Sequence, residues 1–240
     1  MIEPSGLLLI NKPIGITSFQ VIRMIRRSTG VKKIGHSGTL DKNATGLLVL
    51  GIGKGTKHLT EILSMEKSYL FRIQFGCESE TGDTLGTTWS YQAVSENRVT
   101  WESILKTITE HFWGEIWQTP PIYSALKKNG KRLSDYARDN IFTMVEPRKV
   151  NITHFSLLHF SYDSYMPSAI FKITCSRGTY IRSIGKDMGQ LLSTKAVMTN
   201  LCRTSLGPYQ LGHASVVDSI TSLADLEHKL ISLEPGGDGN

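Results

Sequence analysis

Short apolar strands and amphipathic helices follow one another along this chain without a repeating β-α-β order. Residues 6–10 form an apolar run, and residues 69–75 and 169–175 alternate apolar with polar side chains, which predicts strands. Apolar residues at helical spacing follow Thr17 and Thr100. An irregular mixture of this kind favours an α+β fold over a doubly wound sheet. We therefore predict a mixed, mostly antiparallel sheet flanked by helices.

The composition is that of a globular protein. The chain has 240 residues, of which 40% are hydrophobic and 20% charged, so it can bury one large core. No segment approaches the roughly 18 consecutive apolar residues of a membrane helix, and no signal peptide is visible. The cysteines Cys77, Cys175 and Cys202 are far apart and form no C-x-x-C pair, which indicates reduced thiols. We expect a cytoplasmic monomer that does not bind membranes.

The positive charge is concentrated in two segments. The net charge is +6, but residues 15–33 carry five basic residues and no acid, and residues 119–149 carry seven basic residues against three acids. The remainder of the chain is therefore negative. Tyr123 and Tyr136 lie among the charges of the second segment, and aromatic rings between cations are typical of nucleic-acid binding. We predict a nucleic-acid partner.

Three tempting cofactor or metal patterns fail. Residues 51–56 (GIGKGT) match neither the G-x-x-x-x-G-K-[ST] phosphate loop nor the G-x-G-x-x-G dinucleotide pattern. His154 and His159 are five residues apart and have no companion ligand nearby in sequence. We predict a turn at residues 51–56, structural histidines, no metal site and no cofactor.

The segment 35–46 (GHSGTLDKNATG) holds one carboxylate, Asp41, in a glycine-rich stretch between a basic helix and an apolar strand. Small residues of this kind leave room for a substrate beside the acid. An aspartate in such a loop also commonly serves as a turn or cap residue. The residues alone leave both interpretations open.

The same segment resembles the catalytic motif G-H-[ST]-G-x-L-D-x-x-A-T-G of the TruB family of bacterial tRNA pseudouridine synthases. Lys42 and Asn43 differ from the proline and leucine usual in that motif. Further segments resemble the family pattern in the same order, from Gly6 to about Tyr209. They are LLINKP (8–13), KSY (67–69), TGDT (81–84), PIYSALK (121–127), CSRGTYIR (175–182) and LCRT (201–204).

The resemblance implies three catalytic residues. Asp41 either attacks the ribose of the target uridine or removes a ribose proton. Arg182 pairs with Asp41. Tyr69 stacks on the base and helps to remove the C5 proton, although its place in the apolar alternation of residues 69–75 also suits a core residue.

The resemblance also implies substrate-binding residues. Leu201 packs against the base opposite Tyr69, and His36 lies beside the flipped nucleotide. Lys12 and Tyr180 complete the set around the base. The segment 119–149 acts as an RNA-binding arm that contacts phosphates of the T stem-loop of tRNA. The candidate phosphate contacts are Lys127, Lys128, Lys131 and Arg132.

We therefore expect residues 1–215 to form a pseudouridine synthase catalytic domain acting on uridine-55 of the tRNA T loop, without a cofactor. Residues 216–240, with five acids and one lysine, are expected to be a short acidic tail with a frayed end. The chain ends soon after the last motif, so we expect no RNA-binding PUA domain. Two alternatives stay open, a non-catalytic RNA-binding protein and a phosphotransferase that uses an aspartyl phosphate.

Overall fold

The computed structural model describes residues 4–95, 98–124, 126–139, 141, 143–163 and 166–233. They form two compact units: residues up to Tyr69 with those from Cys202 onward, and Leu70–Leu201. The strands are β1 (Gly6–Lys12), β2 (Ile34–His36), β3 (Thr45–Ile52), β4 (Lys67–Phe75), β5 (Cys77–Ser79), β6 (Trp89–Tyr91), β7 (Gly114–Gln118), β8 (Lys127–Lys128), β9 (Lys131–Arg132), β10 (Arg148–Ser161), β11 (Ser168–Cys175), β12 (Ala196–Leu206), β13 (Tyr209–Gln210) and β14 (Ser215–Val216). The helices are α1 (Ser18–Thr29), α2 (Leu59–Ser64), α3 (Trp101–His111), α4 (Leu133–Arg138), α5 (Ile181–Leu191) and α6 (Leu223–Lys229).

Strand β3 is central to the first unit. Strand β1 pairs with one edge of β3 in antiparallel register, with Leu8 opposite Leu50. On the other edge, β12 pairs in parallel at the start of β3, and β2 pairs antiparallel at its end. Alternate residues of β1 and β3 enter two apolar clusters, one of which includes α1 and α6. Both strands are consequently buried on both faces, which explains their continuous apolar sequences.

Helix α1 begins and ends where the sequence predicts. The Thr17 side chain accepts a hydrogen bond from the Gln20 amide at 3.1 Å, and the Gln20 side chain accepts one from the Thr17 amide at 2.7 Å. Gly30 ends the helix in the left-handed conformation, at φ 74°. The predicted capping box and glycine stop are therefore confirmed.

The second unit is built on strands in the order β12-β4-β11-β10-β7. The rings of Phe71, Phe112, Phe155 and Phe171 pack together, with neighbouring centroids 5.2–5.9 Å apart. Strand β10 pairs with both β11 and β7 in antiparallel register. The predicted α+β class with a mixed, mostly antiparallel sheet is confirmed: β1–β3, β2–β3, β10–β11, β10–β7 and β12–β13 pair antiparallel, whereas β1–β14 and β3–β12 pair in parallel.

Two segments differ in detail from their sequence patterns. Strand β1 continues past residue 10 to Lys12, and Pro13, which lacks an amide hydrogen, follows it. Residues 51–56 finish β3 and begin a 3₁₀ helix, Gly53–His58, where a turn was predicted. The segment between β7 and β10 forms the β8–β9 hairpin and helix α4, and its ends meet because Gln118 pairs with Arg148.

The described part of the acidic segment folds onto the first unit. Val217, Ile220 and Leu226 belong to the same apolar cluster as α1. The amide of Ile231 donates to the carbonyl of Leu7 at 2.8 Å, and the Leu7 amide donates back at 3.0 Å. The end expected to fray, residues 235–240, lies outside the described residues. Within the described ranges, no helix is long and apolar enough to cross a membrane.

The capping box predicts a measurable stability effect. Thr17→Ala removes the side-chain oxygen that binds the Gln20 amide, so the free energy of unfolding should fall by about 1 kcal/mol. Urea unfolding followed by circular dichroism measures the change. Thr60→Ala, at an exposed position inside α2, is the control and should change stability by less than about 0.5 kcal/mol. Equal effects of the two substitutions would contradict the capping role.

Candidate active site

In the first unit, the loop that carries Asp41 connects β2 to β3 and is fixed by groups outside it. At its start, the amide and hydroxyl of Ser37 donate to the Val49 carbonyl at 3.0 and 3.1 Å. In its middle, the Leu40 amide donates to the Ser18 hydroxyl of α1 at 2.9 Å. These bonds hold the loop backbone and leave Asp41 partly exposed.

The turn after β1 supports the same loop. The Gly15 amide donates to the Lys42 carbonyl at 2.8 Å. Lys12 is fully buried, and its ammonium donates to the carbonyls of Pro13 and Ile16 at 2.9 and 2.7 Å. Burial lowers the pKa of Lys12 from 10.5 to about 8, and the negative charge of Asp41 opposes this shift. The structure therefore brings the predicted residues Lys12 and Asp41 within electrostatic reach of each other.

Arg203 on β12 lies under the loop. Its side chain is buried, with Nε donating to the Leu47 carbonyl at 2.7 Å and Nη2 to the Gly38 carbonyl at 3.3 Å. It also forms a side-chain hydrogen bond with Tyr69, which itself is buried in the core. Burial lowers the pKa of the Arg203 guanidinium, and Tyr69 opposes the shift.

Two neighbours of Arg203 complete this region. Burial, and then the charge of Arg203, lower the pKa of His36, so its ring is neutral at pH 7. Gly46, at φ 100°, runs against the backbone of β12, and a Cβ there would stand 2.4 Å from the Arg203 carbonyl oxygen. Glycine is therefore required at this point of β3.

In the second unit, Arg182 at the start of α5 is buried in a polar cage. Its Nη1 and Nη2 donate to the carbonyls of Thr81 and Tyr123 at 2.8 and 2.9 Å. Its Nε lies 3.6 Å from Oδ2 of Asp83, which is also buried. The structure thus gives Arg182 a carboxylate partner, Asp83, that the sequence did not predict. The expected pairing of Arg182 with Asp41 stays a prediction.

The residue before α5 is held from β7. Gln118 is fully buried, and its side-chain amide donates to the Tyr180 carbonyl at 3.1 Å and accepts from the Tyr180 amide at 2.7 Å. The guanidinium of Arg148 lies 4.9 Å from the centre of the Tyr180 ring. These contacts fix a half-buried Tyr180 at the start of the helix that carries Arg182.

The predicted phosphate contacts all lie on the β8–β9 hairpin, but they are not equivalent. Lys131 forms an ion pair with Asp139, which raises the pKa of Lys131. The Lys128 ammonium donates to the Met144 carbonyl at 2.9 Å. Lys127 and Arg132 are exposed and face each other across the hairpin, and neither forms an ion pair within the described ranges. The four cations therefore differ in how far other groups of the chain already engage them.

A cavity of about 700 Å³ lies in the second unit beside Arg182. Tyr123, Met144, Lys186 and Asp187 also contribute to its lining. Burial raises the pKa of Asp187 to about 6. The predicted Leu201 lies at the end of the second unit's part of β12 and is buried.

Sequence reasoning missed Arg203, Asp83 and Gln118 as site residues. Arg203 and Asp83 lie in the segments 201–204 and 81–84 that resemble the family pattern, where a charged residue among apolar or small neighbours is the available signal. Nothing in the sequence marks Gln118 as buried. Among the residues that the structure describes, no group of three or more His, Cys, Asp or Glu side chains could hold a metal ion.

Solved structures share this fold. A chain in a Cbf5-Nop10-Gar1 complex matches 89% of this chain with a TM-score of 0.66 and 26% identity. A chain in the archaeal box H/ACA sRNP Nop10-Cbf5 complex matches 90% with a TM-score of 0.64 and 23% identity. This chain spans only 54% and 52% of those chains, respectively.

The chain is a pseudouridylate synthase, an isomerase, as its match to a family model shows. Residues 26–181 match the model described as TruB family pseudouridylate synthase (N terminal domain), and the chain belongs to that family.

Curated relatives support the assignment over nearly the whole chain. A protein of Endomicrobium trichonymphae is 40% identical over 230 residues, which cover 95% of this chain and 96% of the relative. A Bordetella pertussis protein is 37% identical over 228 residues, with 95% and 91% covered. A Ureaplasma urealyticum protein is 38% identical over 215 residues, with 90% and 92% covered. Each relative is described as tRNA pseudouridine synthase B.

The lowered pKa of Lys12 predicts two opposite pH effects. Above about pH 8 Lys12 loses the proton that binds the Pro13 and Ile16 carbonyls, so kcat/KM should fall. Between pH 8 and 10.5 the unfolded chain keeps a proton that the folded chain has lost, so stability should rise there with pH.

Rates and urea unfolding from pH 7 to 10 test both effects, and Lys12→Met is the control. As the pH rises, the free energy of unfolding of the wild type should increase relative to that of Lys12→Met, while the kcat/KM of the wild type falls. This contrast excludes unfolding as the cause of the lower rate. A wild-type rate that stays constant to about pH 9.5 would contradict the role of the Lys12 charge.

Proposed function

We propose that this chain converts uridine-55 in the T loop of tRNA to pseudouridine. The observation that carries the proposal is the loop 37–44, in which externally fixed backbone presents the carboxylate of Asp41. The name of the curated relatives, tRNA pseudouridine synthase B, supports tRNA as the substrate. The positive segments at residues 15–33 and 119–149 supply the electrostatic attraction that an RNA substrate needs.

The chemistry is an isomerisation. The bond from uracil N1 to the ribose breaks, a bond from C5 to the same ribose carbon forms, C5 loses a proton and N1 gains one. No electron is gained or lost, so the reaction needs no cofactor. Asp41 acts either by attacking the ribose or by removing a ribose proton, and either role requires its ionised form. In this proposal Arg182 pairs with Asp41 as well as with Asp83.

The target base needs a site outside the RNA stack. Flipping it out costs a few kcal/mol, which contacts elsewhere on the RNA must offset. Tyr69 stacks on the base and helps to remove the C5 proton, and Leu201 packs on the opposite face. Neutral His36 lies beside the flipped nucleotide, and Tyr180 borders the site. A buried tyrosine can serve as both core residue and base contact, because one ring face suffices for stacking.

The remaining assignments concern the setting of the reaction. Residues 1–215 act as the catalytic domain, and the segment 119–149 acts as the arm that holds the T stem-loop. One copy of the chain supplies every group named above, so we propose a monomer. We place the reaction in the cytoplasm, where tRNA is found.

Asp41→Asn tests the catalytic assignment. The amide keeps the size and polarity of the side chain but cannot act as nucleophile or base, so turnover should fall by about 1000-fold or more. Binding of the T stem-loop should change less than about threefold. Tritium release from C5-labelled uridine in the RNA measures turnover.

Asp218→Asn, at an exposed position of the same unit, is the matched control and should keep wild-type turnover. Asp41→Asn turnover within tenfold of the wild type would overturn the assignment. If the wild type binds the stem-loop but releases no tritium, the chain is a non-catalytic RNA-binding protein. A divalent-ion requirement with prefolded RNA would instead support the phosphotransferase.

The unequal cations of the hairpin predict unequal salt effects. Removing a cation that contacts a phosphate should flatten the slope of log K against log salt by about 0.7–0.9. Lys127→Ala and Arg132→Ala should each show this change. Lys131→Ala should show less, because Asp139 already neutralises Lys131. Filter binding of the stem-loop over a roughly sixfold range of salt concentration measures the slopes.

Lys106→Ala on α3 is the control, since Lys106 is exposed and pairs with Glu110 at 3.9 Å. Its slope should equal that of the wild type. Equal flattening by Lys131→Ala and Lys127→Ala would show that the Asp139 pair does not persist beside RNA.

A further inference from the structure

Arg203 is a buried cation whose contacts join three parts of the first unit. Its Nε binds the Leu47 carbonyl in β3, its Nη2 binds the Gly38 carbonyl in the Asp41 loop, and it hydrogen-bonds the side chain of Tyr69 in β4. Burying a guanidinium is costly unless its donors are satisfied. A packing role alone would be filled more favourably by an apolar side chain.

The direction of the bond to Tyr69 follows from the chemistry of the two groups. A guanidinium has only donors, so the phenol oxygen of Tyr69 must be the acceptor. The hydroxyl hydrogen of Tyr69 then points away from Arg203. Because the phenol oxygen lies at the end of the side chain, Arg203 restrains the position of that oxygen.

The second contact connects this tyrosine to the catalytic loop. Gly38 lies in the same loop as Asp41, three residues before it. One planar, rigid side chain therefore sets the separation between Tyr69 and the backbone that presents Asp41. Lysine has a single ammonium on a flexible stem and could not hold all three acceptors in the same geometry.

We propose that Arg203 is a positioning residue. It holds Tyr69 at a fixed position relative to the Asp41 loop, as removal of the C5 proton requires. The inference rests on the proposed function, because it assigns the effect to one step of that reaction. Arg203 does not touch the uridine. It acts through Tyr69.

The test compares Arg203→Met, Tyr69→Phe and the double variant on T stem-loop RNA with protium or deuterium at C5. Arg203→Met should lower kcat by about 100-fold, as misplacement of a reacting group does, with KM within about threefold. The deuterium isotope effect on kcat should rise, because C5 proton removal becomes slower. The double variant should be within about threefold of the slower single variant, since both remove the same function.

Leu206→Ala is the matched control, because Leu206 is fully buried on the same strand but belongs to an apolar cluster. It should lower the thermal midpoint without changing the isotope effect. Arg203→Lys keeps the charge and provides the test if Arg203→Met does not fold. We expect about a tenfold lower kcat and a raised isotope effect for this variant.

Wild-type turnover separates the two proposals: without it the proposed function fails, and with it only the role of Arg203 is in question. An unchanged isotope effect in a folded Arg203 variant would overturn the positioning role, as would losses that multiply in the double variant. A raised isotope effect in Leu206→Ala would also overturn it, because any destabilisation of the unit would then suffice.

Discussion

Two buried cations bound by main-chain carbonyls organise the first unit around the Asp41 loop. Lys12 binds the carbonyls of the turn after β1, and Arg203 binds carbonyls of the loop and of β3. Carbonyl dipoles offset the free-energy cost of burying a charge. Unlike carboxylates, they do not neutralise the charge itself. The positive charge of Lys12 therefore acts on Asp41. A buried positive charge attracts carboxylates and the phosphates of an RNA backbone alike.

The loop itself is short of conformational freedom although it is rich in glycine. Ser37, Leu40 and Lys42 are each bonded to a different element, namely β3, α1 and the turn after β1. In the proposed reaction, a carboxylate held in this way needs little rearrangement before it meets the ribose, which is how fixed geometry contributes to rate. In the second unit, Asp83 and two carbonyls restrain the side chain of Arg182 in the same way.

Most of the fold could be predicted from local patterns. The capping box of α1, the alternation of residues 69–75 and the helical spacing after Tyr180 report on neighbours within a few positions, and the structure follows them. The resemblance to the family gave the segment that carries Asp41. Long-range contacts could not be predicted in this way, because the bond from Arg203 to Gly38 joins residues far apart in the chain. The same holds for Gln118 and Tyr180, and the ion pair of Lys131 likewise depends on the shape of the hairpin.

Gly46 limits how this site can change during evolution. Its backbone conformation and the Arg203 carbonyl 2.4 Å from a would-be Cβ both exclude any side chain. Lys42, by contrast, is exposed, and its side chain differs from the family motif. The hydrogen bond from the Gly15 amide to the Lys42 carbonyl involves only the backbone, so this difference leaves the bond in place. Sequence drift is thus tolerated where the loop faces outward and is blocked where two strands touch. Lineages of this enzyme can alter the rim of the site while its foundation stays unchanged.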